Sequence, residues 1–180
     1  MNLVFFDLET QKLMTEVGGR EHIDLLKLAC AVTYSTAQNS FNVYWEKDVA
    51  ALVQELKTAD RVIGFNIRSF DYVVLRPYAR QEQFNSLPTL DLMDEVYNKL
   101  GFRLGLDALA SATLGSQKTA DGILSVQWFR QGLLDKVSEY CQADVEITRR
   151  LYEFGRDNRF VWYFDKRGQK LKLPVNWQAG

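Results

Sequence analysis

The chain has 180 residues, of which 47% are hydrophobic and 13% aromatic, enough to fill the core of one domain of ordinary size. It carries 22 basic and 23 acidic residues, so its net charge is −1. This balance excludes a strongly basic domain that binds nucleic acid through bulk charge, and a polyanion would have to be bound by local patches and bound cations. We expect one domain over residues 1–180, with a core at about 1–155 and a terminal hairpin at about 159–175.

Strands are predicted mainly in the first half of the chain. Residues 2–6 form a short apolar run typical of a buried strand, and the polar, glycine-containing stretch 10–22 predicts a loop. Further strands are expected over 24–35, 40–46, 61–65 and 87–90, the last of them at a sheet edge.

Helical periodicity is predicted over 48–58, over 69–80 and, with glycine interruptions, over 91–155. Asp48 is the expected N-cap of the first helix, and Pro77 should end or bend the second. The longest helix is expected at about 133–154.

The pattern changes after Gly155. Residues 159–165 alternate in the manner of a strand, residues 165–168 read Asp-Lys-Arg-Gly and predict a turn, and 169–175 predict a returning strand. Strands first and helices later, with one strand–helix–strand passage, favour an α/β or α+β sandwich with a central mixed sheet, followed by a terminal β-hairpin.

The two cysteines, Cys30 and Cys141, lie in apolar or helical surroundings, which favours reduced, packed thiols over a disulfide. The opening apolar run at 3–6 ends at Asp7 and is too short for a membrane span or a secretory core. We therefore expect a soluble protein of the cytoplasm.

Acidic residues stand at three separated places. Asp7 and Glu9 are two apart in an otherwise apolar strand, so their side chains share a sheet face, where they repel each other or bind a cation. Equally, the strand could end at Asp7 and leave both acids solvated. Asp71 follows Phe70 in the first turn of a helix, a position that by itself is more often structural.

Tyr140 and Asp144 are four apart and project from one helix face, which alone is an ordinary contact. Taken together, the three places supply three aspartates and one glutamate, which are hard oxygen ligands suited to Mg²⁺ or Mn²⁺. Their formal charge of −4 would be offset by two divalent ions, the arrangement that cleaves phosphodiesters.

Three motifs carry a resemblance to a known family. Residues 5–10 end an apolar strand in Asp-x-Glu, residues 66–71 read Asn-x3-Phe-Asp, and residues 140–144 read Tyr-x3-Asp. In this order and spacing they resemble the DEDD (DnaQ-like) 3′–5′ exonuclease superfamily. The resemblance implies a ribonuclease H-like fold, with a central mixed five-stranded sheet flanked by helices. The segment 104–110 also looks like a helix common between the second and third motifs.

The third motif indicates the subclass. The histidine subclass would have His five residues before the last Asp, where this chain has Glu139, and its one histidine, His22, falls in a predicted loop. The chain therefore resembles the tyrosine (DEDDy) subclass, which includes polymerase proofreading domains and ribonuclease D-like enzymes.

The resemblance implies that Asp7, Glu9, Asp71 and Asp144 hold two metal ions, Mg²⁺ or Mn²⁺, one activating a water and one stabilising the leaving 3′ oxygen. It implies further that Tyr140 aims the attacking water, since a tyrosine is a poor general base at neutral pH. Residues expected to position the terminal nucleotide are Thr10, Asn66 and Phe70. The implied partner is the 3′ end of single-stranded nucleic acid, DNA or RNA.

Two alternatives stay open. A metal-dependent phosphoesterase acting on short oligonucleotides or nucleotides would need no basic stripe, and a catalytically silent nucleic-acid-binding domain could keep the fold. Four basic residues cluster around the terminal hairpin turn and could follow a phosphate backbone, although a solvated tip is the simpler expectation; they are Lys166, Arg167, Lys170 and Lys172. Trp128-Phe129 and the aromatics at 160–164 could stack on bases, but core packing is the simpler interpretation.

Overall fold

The computed structural model describes residues 1–79, 84–116 and 122–178. Five strands form one sheet: β1 Leu3–Thr10, β2 Leu28–Ser35, β3 Ser40–Trp45, β4 Arg61–Gly64 and β5 Thr89–Asp91. Their order is β3-β2-β1-β4-β5. Antiparallel pairing joins β1, β2 and β3, and parallel pairing joins β1, β4 and β5, so the sheet is mixed as predicted.

Six helices complete the described part of the core: α1 Val49–Thr58, α2 Asp71–Leu75, α3 Leu92–Leu100, α4 Leu106–Leu114, α5 Gly122–Arg130 and α6 Leu134–Asn158. They cover both faces of the sheet. Leu3 and Phe5 of β1 belong to the core cluster under α6, whereas Val4, Phe6 and Leu8 belong to the cluster under α1 and α2. This division follows from the period-two alternation of a strand.

The predicted bounds were wrong in two places close to the acidic residues. The strand expected at 2–6 continues to Thr10, because β2 pairs with it as far as Thr10↔Leu28 and keeps the backbone bonded beyond Asp7. The helix expected over 69–80 is helical over Asp71–Leu75, and Pro77 follows its end, while positions 80–83 lie outside the described residues.

Smaller differences concern turns. The predicted loop 10–22 contains two 3₁₀ turns, at Met14–Glu16 and Arg20–Leu25. Asp48 stands before α1, but its carboxylate accepts a hydrogen bond from the Trp45 amide at 3.2 Å rather than capping the helix. The edge strand was predicted correctly, but β5 begins two residues later and ends one residue later than the expected 87–90.

The terminal hairpin is present as predicted, with strands β6 Phe160–Phe164 and β7 Lys170–Pro174. Val161 and Leu173 point into the α6 side of the core, and Trp177 beyond β7 is fully buried. Both cysteines are buried and unbridged, as expected. Within the described ranges, no helix has the length and apolar character that crossing a bilayer requires.

Candidate active site

A pocket of about 440 Å³ opens where β1 and β4 end, and its wall includes all four predicted carboxylates, Asp7, Glu9, Asp71 and Asp144. The two parallel strands end at the same edge of the sheet, so residues at and beyond their carboxyl ends converge there. The remaining wall comes from the segment after β1, the segment after β4 and the first turns of α5.

Three of the carboxylates form a tight group. One oxygen each from Asp7, Glu9 and Asp144 lies within 4.8 Å of the other two. Asp7 and Glu9 share a sheet face because they are two apart in β1, which confirms the strand geometry and excludes the alternative that the strand ends at Asp7. Asp144 is brought to them by α6, which packs on this face through Cys141 and Val145.

Cys141 fixes how α6 meets β1. Its thiol donates to the Asp7 carbonyl oxygen at 3.4 Å and lies 3.6 Å from Asp7 Oδ2. Cys141 lies between Tyr140 and Asp144 in the sequence, so this turn of α6 contacts β1 directly. This contact fixes where the third motif lies along β1 relative to the first motif.

Asp71 stands beside this group, in the first turn of α2. It is 3% exposed, and its Oδ1 accepts a hydrogen bond from the Leu8 amide at 3.1 Å. β4 pairs with β1 only as far as Phe5↔Ile63, so the Leu8 amide lies beyond that pairing and is bonded by Asp71 instead. The negative charge of Asp71 also acts on Asp7, whose pKa it raises.

The carboxylates strongly perturb one another. Burial, followed by the charges of Asp71, Asp144 and Glu9, raises the pKa of Asp7 well above its ordinary value, even though this side chain is partly exposed to the pocket. Burial raises the pKa of Glu9 to about 8, with the charges of Asp144 and Asp71 adding to it. Burial, with a contribution from Asp91, raises the pKa of Asp71 to about 8.

Ser125 of α5 adjoins Glu9 and partly offsets the rise in the pKa of that carboxyl. Among the described residues, its buried hydroxyl makes no hydrogen bond within ordinary distance and angle limits, although it lies near the Glu9 carboxyl. Carboxylates held this closely are costly when all are ionised, and a bound cation removes that cost.

Tyr140 lies one turn before Asp144 on α6 and stands beside the pocket rather than in its wall. Its ring meets the edge of Trp128 with centroids 6.2 Å apart. Burial first, and then the charges of Asp144, Glu9 and Asp7, raise the pKa of Tyr140 far above its ordinary value. The hydroxyl therefore keeps its proton at any physiological pH.

The three residues predicted to position substrate all line the pocket: Thr10, Asn66 and Phe70. Asn66 has a φ of 68°, in the left-handed region that asparagine tolerates better than most residues. Its Oδ1 is buried and, among the described residues, has no hydrogen-bond partner. Buried polar atoms are nearly always hydrogen-bonded in folded proteins, so this acceptor is unusual.

Asp91 was missed by the sequence analysis. It is 3% exposed and caps α3 by accepting a hydrogen bond from the Met93 amide at 3.0 Å. It also accepts from the amides of Asn66 at 2.8 Å and Arg68 at 3.0 Å. A single buried carboxylate therefore holds the loop that presents Asn66, Phe70 and Asp71. An aspartate directly before an apolar helix is an N-cap signal that could have identified its local role.

Residues 4–154 match the RNase H superfamily. The chain belongs to that superfamily. No curated protein sequence matches it significantly.

The RNase H-like fold is also found in solved structures, one of which is a family B DNA polymerase from the hyperthermophilic archaeon Pyrobaculum calidifontis. The two chains are 16% identical and superpose with a TM-score of 0.65 over 86% of this chain, which corresponds to 24% of the polymerase. At this identity the likeness is one of fold. This RNase H-like domain thus has the length of about a quarter of that polymerase.

The acidic group fits what the superfamily implies. RNase H-like nucleases use divalent metal ions, and the residues converging here offer only carboxylate oxygens, the donors that Mg²⁺ and Mn²⁺ prefer. We conclude that the chain is a nuclease-type RNase H-like domain with an acidic group able to bind a metal ion.

Proposed function

We propose that this domain is a metal-dependent 3′–5′ exonuclease of the tyrosine DEDD subclass that removes nucleotides from the 3′ end of single-stranded DNA or RNA. The observation that carries the proposal is the group formed by Asp7, Glu9 and Asp144, with ligand oxygens within 4.8 Å of one another. Asp71 lines the same pocket and completes the four carboxylates of the three motifs.

Asp7, Glu9, Asp71 and Asp144 would hold two divalent ions, Mg²⁺ or Mn²⁺. When bound, such ions supply charge neutralisation at the phosphate and lower the pKa of a coordinated water. The raised pKa values of Asp7, Glu9 and Asp71 support this assignment, because the metal-free protein pays for gathering these charges.

The rest of the pocket is suited to one terminal nucleotide. Its volume of about 440 Å³ lies in the range typical of small-ligand sites. Phe70 offers a half-buried ring to the base or sugar, and Asn66, whose buried Oδ1 has no partner in the described part of the chain, lines the same pocket. The hydroxyl of Thr10 donates to the Lys12 carbonyl at 2.9 Å and so remains able to accept.

Tyr140 acts in this proposal as a hydrogen-bond donor that orients the attacking water. Because its pKa is raised by burial and by four neighbouring carboxylates, it does not act as the base. The fold likeness to part of a DNA polymerase agrees with this proposal, since proofreading domains belong to the subclass that the motifs resemble.

A second candidate function is favoured by the pocket wall. Among the described residues that line the pocket, Lys12 is the one basic side chain. A site with so little positive charge would suit a very short oligonucleotide, on which few phosphates need to be bound. The same chemistry on short substrates is therefore the alternative.

The test is digestion of 5′-labelled single-stranded DNA and RNA of increasing length, with Mg²⁺, Mn²⁺ or EDTA. We expect a metal-dependent ladder that shortens from the 3′ end and that Asp7→Ala abolishes. The matched control is Asp135→Ala, which removes an exposed acid from the start of α6 and should leave the ladder unchanged.

Cleavage confined to the shortest oligonucleotides would favour the second candidate. Internal cuts, or a ladder that persists in Asp7→Ala, would contradict the exonuclease assignment and the site assignment respectively. Metal-dependent binding of oligonucleotides with no cleavage would indicate a catalytically silent domain.

A further inference from the structure

The outward side of the terminal hairpin is lined by aromatic and basic side chains. In the β6–β7 register Trp162 pairs with Lys172 and Phe164 pairs with Lys170. Phe160 lies two residues before Trp162 and shares its side of the strand. We call these five residues the hairpin face.

The hairpin face is not needed for the core. The alternate residue Val161 is fully buried in the core, and Tyr163 packs against it, so the opposite side anchors the hairpin. The backbone of Trp162 is held by Thr113 of α4, whose hydroxyl bonds both its amide and its carbonyl at 2.9 Å. Two hydrogen bonds thus hold the backbone of β6 at Trp162, while Phe164 remains 48% exposed.

Rings and ammonium groups interleave on this face. Phe160 and Trp162 meet edge to face, with centroids 5.4 Å apart. Lys172 Nζ lies 4.3 Å from the Phe160 ring centroid and 5.3 Å from that of Trp162, and Lys170 Nζ lies 5.2 Å from that of Trp162. Phe160 and Trp162 therefore each have a lysine ammonium group over the ring, close enough to meet the phosphate next to a stacked base.

The charge around the face is mostly positive. Residues 159–178 contain five basic side chains and one acidic one, in a chain whose net charge is −1. The hairpin thus concentrates positive charge that the pocket wall lacks. Aromatic platforms alternating with lysines match the bases and phosphates of a single strand better than they match a purely anionic surface, which has nothing to stack.

We propose that the hairpin face binds single-stranded nucleic acid, and that it holds the strand upstream of the nucleotide in the pocket. The second half of this statement rests on the proposed exonuclease function. Phe160 packs on Phe154 with centroids 5.7 Å apart. Phe154 is ten residues beyond Asp144, or about 15 Å along the axis of α6. At about 3.4 Å per stacked nucleotide, a strand needs roughly four or more nucleotides to span this distance.

Binding is measured in EDTA by fluorescence anisotropy with a labelled oligonucleotide of about 12 nucleotides, within the site sizes of such surfaces. Losing one base stack should weaken binding roughly tenfold, so Phe164→Thr and Trp162→Thr should each do so, and Trp162→Phe should restore most of the affinity. Circular dichroism shows whether Trp162→Thr folds, and Phe164→Thr provides the answer if it does not.

The lysines are tested by salt dependence. The double variant Lys170→Gln/Lys172→Gln should flatten the slope of log affinity against log salt by about 1.4, because each lost phosphate contact on a single strand contributes about 0.7. The aromatic variants should leave that slope unchanged. The matched control is Lys47→Gln/Lys57→Gln, two exposed lysines outside the hairpin, one before α1 and one within it, which should change neither affinity nor slope.

Unchanged affinity in all the hairpin variants would overturn the proposal. The proposal would also fail if polyphosphate or polyglutamate competed with the oligonucleotide as well as unlabelled oligonucleotide does and the aromatic variants bound normally. Those two results together would make the face a simple anion-binding patch or a site for an acidic protein. Cleavage is scored separately, with trinucleotides and long strands. In the hairpin variants we expect the cleavage rate to fall on long strands and to stay unchanged on trinucleotides. If these variants bind more weakly but the wild type cleaves neither substrate, the exonuclease function is overturned and the proposed binding surface is not.

Discussion

The acidic group makes a prediction about stability that does not depend on finding a substrate. In the metal-free protein, burial and neighbouring charge raise the pKa of Glu9 from 4.5 to about 8 and that of Asp71 from 3.8 to about 8. A carboxyl with a raised pKa holds its proton more tightly in the folded than in the unfolded chain. Its stabilising contribution is complete below the unfolded pKa and is lost as the pH rises through the folded value.

We therefore expect the free energy of unfolding of the metal-free protein to fall between about pH 5 and pH 8. One such group changes this free energy by at most about 1.4 kcal/mol per pH unit. Two such groups would lose about 8 kcal/mol over three pH units at this limit, and because the carboxylates titrate as a coupled set we expect about half of that, about 4 kcal/mol, a large part of the 5–15 kcal/mol typical of a domain. Metal binding should reverse the trend, since it requires the ionised carboxylates.

The assay is urea unfolding in EDTA at about pH 5.5 and about pH 8.5, repeated with excess Mn²⁺. Glu9→Gln removes one titrating group and should reduce the pH dependence by roughly half. Glu139→Gln, which removes an exposed charge from α6, is the matched control and should leave the dependence as in the wild type. Stability that is flat or rises over this range without metal would refute the electrostatic account of the site.

Three other substitutions test separate parts of the structure. Asp91→Asn should lower the free energy of unfolding in urea by about 1–3 kcal/mol, because it places a side-chain amide beside the backbone amides of Asn66 and Arg68, which now donate to the carboxylate. It should also raise KM more than it lowers kcat, and Asp94→Asn is the control. Gly155→Ala should lower the unfolding free energy by about 1–3 kcal/mol, because its Cβ would lie 2.3 Å from Trp177, and in a Trp177→Ala background that penalty should vanish. Tyr140→Phe should slow cleavage without weakening Mn²⁺ binding measured by calorimetry, and an equal loss of metal affinity would contradict its assigned role.

The features of the fold that were predicted correctly are those that local sequence signals encode. The hairpin was found because alternation and a turn sequence lie within a few residues of each other. Strand and helix periods predicted that Asp7 shares a face with Glu9 and Tyr140 with Asp144, and the family resemblance of the three motifs implied that these segments converge. Each of these inferences needs only neighbouring residues and the order of three motifs.

The errors arose where distant contacts decide the structure. The end of β1 was misjudged because a charged residue resembles a strand terminus, whereas pairing with β2, some twenty residues later, holds the strand straight through Asp7 and Glu9. Asp91 was missed because nothing nearby marks a carboxylate whose partners lie 23 and 25 residues earlier in the chain. Ser125 and Val126 reach the site only through the packing of α5.

Asp71 shows why the structural and functional interpretations of an acid need not compete. Its Oδ1 bonds the Leu8 amide, which lies just past the last β1–β4 pair, so the carboxylate continues the backbone bonding of the sheet by other means. The same bond brings its charge against Asp7, where it raises a pKa that is already raised by burial. A carboxylate placed there for the fold alone would be unfavourable next to Asp7, and one placed for metal alone would need some other anchor. The end of the β1–β4 pairing meets both needs. It leaves the Leu8 amide without a strand partner, so this amide anchors Asp71, and it lies at the edge of the sheet where the carboxylates of the three motifs converge.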